Sequence, residues 1–162
     1  MSPWARIGDV FEVKTSAGLG YVQYTHDHES LGNLIRILPG LYKERPNVAA
    51  LVRQPELYFT FYPLNAAIRR RIVSKVSHED LPESAREFPM MRKRNGQRAD
   101  GSWVWLIGDG RRMSTLEEIS RLQRVTDLTA AQKRLSIQSI WGPEFLPGQM
   151  AKSWTPENAD EF

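Results

Sequence analysis

The chain has 162 residues and a formal net charge of +3, long enough for one domain with a sizeable core and too short for two large ones. It contains no cysteine, which excludes disulfides, a thiolate nucleophile and thiolate metal sites. No apolar run approaches the roughly 18 residues of a membrane span, and the opening MSPWARIGDV lacks the apolar stretch of a signal peptide, so a cytoplasmic protein is expected.

Asp9 to Lys14 and Leu19 to Thr25 alternate in apolar character and read as two strands. Thr15-Ser16-Ala17-Gly18 between them is a hairpin turn, and Gly20 inside the second strand marks a bulge or a close backbone approach. His26 to Asn33 reads as a loop, and Leu34 to Leu38 as a third strand ended by Pro39-Gly40. Val48 to Arg53 is a short apolar piece. Glu56 to Tyr62, ELYFTFY, is the clearest strand, with aromatic residues on both faces. Pro63 opens a short helix, Leu64 to Arg70, and Ile72 to Val76 returns to strand character.

Met90 to Lys93 and Ser102 to Ile107 read as further strands, with Asn95 to Gly101 a loop between them. Gly108-Asp109-Gly110 predicts a tight turn with Arg111 to Met113 as the return strand. Ser114 with Glu117 has capping-box spacing before a helix at Thr115 to Leu122. A last helix is expected within Leu128 to Ile140, ended by Trp141-Gly142-Pro143. The order predicts one α+β domain over residues 1–153, built on a mainly antiparallel, curled or barrel-like sheet. Residues 154–162 read as an acidic flexible tail.

Three short patterns bear on chemistry. AGLGYV places Gly18 and Gly20 as in a dinucleotide fingerprint, but Gln23 replaces the third glycine and a strand follows instead of a helix. A hairpin accounts for these glycines better. His26-Asp27-His28 could ligate a metal, yet His78 is the one other histidine and stands far along the chain. Solvated histidines at a strand end are the simpler reading, with no metal and no cofactor. Asp9, Asp100 and Asp109 sit where aspartates bond turn backbone. No nucleophile, base and orienting group stand together, so no enzyme activity is expected.

The positive charge is concentrated. Residues 63–98 carry nine basic and four acidic groups, against six of each in 1–62 and seven basic with nine acidic in 99–162. Arg69-Arg70-Arg71 and Arg92-Lys93-Arg94 form two triplets within this stretch. They could hold phosphates while the aromatics of YFTFY stack bases, as on a small nucleic-acid-binding barrel. They could equally keep a surface solvated.

Gly8-Asp9-Val10-Phe11 followed by Gly20-Tyr21-Val22-Gln23-Tyr24 resembles the start of a bacterial immunity protein family, number twenty-six of the polymorphic toxin systems. FPMMRK and SWVWLIGDG are similar to that family's later strand and hairpin, so the likeness runs from Ile7 to Leu122. The resemblance implies a small α+β protein that binds and neutralises a cognate toxin by occlusion. Under that expectation Tyr42, Arg45, Arg69, Arg70 and Arg71 are the candidate partner contacts, since arginine and aromatic anchors dominate protein interfaces. Nucleic acid is the alternative partner.

Overall fold

A computed structural model describes residues 4–161, with side chains as far as Ala159, so the end of the expected tail and the first three residues lie outside it. The first two strands are β1 (Asp9–Thr15) and β2 (Gly18–His28). Their turn is closed by the Thr15 hydroxyl, which donates to the Gly18 carbonyl at 2.8 Å and accepts from the Ala17 N–H. Gly18 takes φ +133°, a conformation that favours glycine. The chain continues through β3 (Gly32–Ile37), β4 (Tyr58–Phe61) and β5 (Val73–His78), which complete a sheet of order β4-β3-β2-β1-β5. All four pairings are antiparallel.

A second sheet holds β6 (Met90–Gln97), β7 (Trp103–Asp109), β8 (Gln123–Val125) and β9 (Ser136–Ile137), in the order β8-β7-β6-β9. β9 runs parallel to β6 and the other pairs are antiparallel. The sheets meet where the outer edge of β4 bonds to residues 136–141. Phe59 N–H donates to the Ser136 hydroxyl, Phe61 N–H to Ser139 O, and Trp141 N–H to Phe61 O. The expected α+β class with mainly antiparallel sheet is borne out; the two sheets stay open and do not close into a barrel.

Strand alternation sorts the core. Phe11, Val13, Val22, Ile35 and Ile37 point to one face of the first sheet. There they meet two helices, α2 (Leu64–Arg69) and α5 (Phe145–Ala151), through Leu64, Ala67, Leu146 and Met150. On the opposite face Val10, Tyr21 and Leu38 pack under the helix α1 (Val48–Leu51) through Leu51. Further along that face Leu34, Phe59 and Phe61 meet Met91 and Met113 from the second sheet's side. The remaining helices, α3 (Leu116–Ser120) and α4 (Ala130–Lys133), are short and capped by Thr115 and Thr129. Among the described residues no helix is long and apolar enough to cross a membrane.

Three local expectations need correction, and one helix is added. Gly110–Arg112 forms a 3-10 turn instead of a return strand, because the Asp109 carboxylate accepts the Arg111 N–H and Gly110 is wedged against Met91 and the Pro89 carbonyl. The long helix expected within 128–140 reduces to α4, because Ser136 and Ile137 are drawn into pairing with β6 and β4. α5 stands in a stretch to which the sequence pattern assigns no element: Pro147 lies in its first turn, where a missing N–H leaves no helical bond unmade. The stretch after Lys152 is docked, with Trp154 edge-on to Tyr58 at 5.1 Å and the Pro156 carbonyl accepting from Arg92.

Candidate functional site

The glycine pattern of AGLGYV serves the hairpin. A β-carbon at Gly20 would overlap the methyl of Met150, so the glycine lets α5 close onto β2. Gly8, at φ +104°, similarly brings the chain against the Glu79 carbonyl. Asp9 then accepts the Arg6 N–H at 2.9 Å, His78 Nδ1 at 2.7 Å and Lys75 Nζ at 3.1 Å. Burial pushes its carboxyl up, but these three partners outweigh burial and hold it below the usual carboxylate range. Asp100 and Asp109 also bond turn N–H groups, as their positions predict.

The His-Asp-His sequence lies within β2 instead of in a loop, and its members part company. His26 is buried, with Nε2 at 2.9 Å from the Arg86 carbonyl. Burial holds this imidazole below its ordinary value, against the opposing bond to Arg86. His28 accepts the Ser30 and Leu31 N–H groups at Nδ1, which leaves its Nε2–H to donate to the Arg111 carbonyl at 3.0 Å. Asp27 accepts from Asn33, and His78 belongs to Asp9. Among the described residues no group of three histidine or carboxylate side chains is placed to hold a metal.

The expected partner contacts fall on two faces. Tyr42 is half-buried, T-shaped against Tyr21 at 6.0 Å, and donates its hydroxyl to the Pro39 carbonyl. Arg45 donates to the Glu12 carboxylate at 2.8 Å while 55% of its side chain stays exposed. Both lie on the Val10–Tyr21 face of the first sheet. Arg69, Arg70 and Arg71 lie at the end of α2, which packs on the opposite face. All three are exposed: Arg69 stands over the Trp4 ring at 5.9 Å, Arg70 pairs with Glu144 at 2.7 Å, and Arg71 takes φ +58°.

The second basic triplet is divided by strand alternation. Lys93 donates to the Met113 carbonyl on one face of the second sheet. Arg92 and Arg94 point to the other, beside Trp103 and Trp105. The guanidinium of Arg92 lies 4.0 Å from the Trp105 ring centroid; that of Arg94 lies 5.0 Å from Trp105 and 5.2 Å from Trp103. Cation and indole thus alternate across β6 and β7, a favourable arrangement for the ring quadrupole. The aromatics of YFTFY, by contrast, are buried at Tyr58, Phe59, Phe61 and Tyr62 and present no face for stacking bases.

The two ends of this ladder differ. Over Arg92 the 154–159 segment closes down, and Ala159 packs with Trp105 and Ile137. Beyond Arg94 a cleft of about 800 Å³ opens, walled by Trp103, Trp105 and Leu128 and edged by Lys133 and Asp127. On the far side of Arg94 a smaller groove of about 390 Å³ runs past Trp141, Trp154 and Lys152 to Phe145. Sequence reading missed this site, although its signal is present: Arg-x-Arg and Trp-x-Trp on successive strands place all four side chains on one face. Searches against protein-family models, curated proteins and solved structures return no match to this chain.

Proposed function

We propose that this chain is an immunity-type protein that acts in the cytoplasm, binding a cognate bacterial toxin and neutralising it by stoichiometric occlusion without catalysis. The observation that carries this reading is a surface rich in arginine and aromatic side chains. It starts at Trp4 and Arg69, passes Arg70 and its partner Glu144 to the half-exposed Phe145, and follows the groove to Arg94. Such side chains supply most of the binding energy at protein interfaces. Their supports are strands and short packed helices, so little conformational freedom is lost on binding.

The test asks whether the neighbouring reading frame encodes a large secreted protein with a C-terminal toxin domain, and co-expresses the chain with that domain. A one-to-one complex on gel filtration, with growth arrest relieved at equimolar expression, is the expected result. Failure to form a complex, or relief by far less than one equivalent, overturns the reading.

A further inference from the structure

We propose that the cleft between Arg94, Trp103 and Lys133 receives a carboxylate side chain from an acidic segment of the protein partner. The partner's being a protein rests on the immunity reading; the carboxylate rests on the cleft alone.

Arg94 is enclosed by aromatic rings, with no carboxylate to meet it among the described residues. Arg36, Arg45, Arg70, Arg121 and Arg134 each meet a glutamate within 3.4 Å. Among the described residues no carboxylate stands within 4.0 Å of Arg94, and its buried Nε makes no hydrogen bond. Its contacts are the two indole rings. Rings covering a guanidinium leave its in-plane N–H groups as the bonding edge, and that edge matches a planar carboxylate. Lys133 adds a second cation at the cleft edge, and Asp127 subtracts one charge. One carboxylate neutralises this net single positive charge, whereas a phosphate dianion would leave a surplus negative charge beside the Asp127 carboxylate. The indole walls lower the local dielectric and strengthen the pair. A cleft of about 800 Å³ also admits a length of peptide rather than a lone ion. Strand pairing between Arg94 and Trp105 fixes the site before the partner arrives.

The test uses the full chain and its tryptophan fluorescence, titrated with hexaglutamate, hexalysine, inorganic phosphate and oligothymidylate. Hexaglutamate alone should give a saturable change that weakens with salt. Arg94→Gln and Lys133→Gln should each weaken it by about tenfold, while Asp127→Asn should tighten it. The Asp127 variant keeps the proposal testable should the Arg94 variant fold poorly. No saturable response, equal binding by Arg94→Gln and wild type, or tighter binding of phosphate or oligothymidylate overturns the proposal. Repeating the toxin co-purification with Arg94→Gln separates the two ideas. If wild type and variant bind the toxin equally, the cleft assignment falls and the immunity reading stands. If wild type binds no toxin, the immunity reading falls while the hexaglutamate titration still decides the cleft.

Discussion

Arg36 and Gln23 face each other across β2 and β3, both wholly buried, with Arg36 Nε donating to Gln23 Oε1 at 2.9 Å. Gln23 in turn donates to the carbonyls of Gly8 and Glu79. The Arg36 guanidinium reaches the carbonyls of Val52 and Gln54 and the Glu56 carboxylate. A buried polar line therefore crosses the first sheet and pins the loop after α1.

Replacing Arg36 by methionine leaves those acceptors buried without a donor. The expected loss is about 3 kcal/mol of folding stability, read as a lower urea midpoint. Faster amide exchange should be confined at first to residues 52–57. A loss below about 1 kcal/mol, the net worth of one ordinary hydrogen bond, would contradict the pinning role.

Acid should weaken the fold in two stages. Burial holds the His26 imidazole below the ordinary histidine value of 6.5, so the unfolded chain takes up this proton first. Its contribution is complete above that value and declines as pH falls through the folded one. Arg45 holds the Glu12 carboxyl below the ordinary glutamate value of 4.5, against burial and with help from Tyr21. Asp9 is likewise held below 3.8 despite its burial. The carboxylate contributions are complete above those values and vanish on further acidification. Urea midpoints measured across pH should fall first below about 6.5 and again below about 4.5. His26→Gln should flatten the upper stage and Glu12→Gln part of the lower. An unchanged profile in both variants would refute the assignment.

Much of the first sheet was legible because its cues are local. The Thr15–Gly18 turn, the aromatic alternation of β4 and the proline before α2 each depend on a few neighbouring residues. The capping box was legible in kind and displaced by one residue: Thr115 and Glu118 form it, beside the expected Ser114 and Glu117. What escaped is non-local. Ser136 becomes strand because the Phe59 N–H needs an acceptor 77 positions away in sequence. The RKR triplet reads as one basic patch, whereas pairing with β7 sends Arg92 and Arg94 to one face and Lys93 to the other. The candidate site is a product of that pairing, so no single segment contains it.

The glycines offer a graded test of close packing. Alanine at Gly8 must adopt φ near +104° with its methyl 2.8 Å from the Glu79 carbonyl oxygen. At Gly110 the methyl would stand 2.7 Å from the Pro89 carbonyl oxygen. Neither backbone atom can rotate aside, so each substitution should remove about 2 kcal/mol or more. At Gly20 the obstacle is the mobile end of Met150, and φ is ordinary, so the loss should be about 1 kcal/mol. Urea unfolding of the three variants checks the order. A Gly20 variant as damaged as the Gly8 variant would show that α5 cannot adjust.

Trp154 decides whether the end of the chain is part of the fold. Its ring meets Tyr58 at 5.1 Å and Trp141 at 5.2 Å, both edge-on, and its backbone N–H donates to the Gln149 carbonyl near the end of α5. Just beyond it, the Pro156 carbonyl holds Arg92 at 2.7 Å, and Ala159 covers Trp105. Trp154→Ala should therefore cost about 3 kcal/mol and loosen the cover over Arg92. Limited proteolysis should then cut between residues 152 and 159 in the variant and spare the wild type, with a matching drop in Tm. Equal cleavage of both proteins would restore the frayed tail that composition alone suggests.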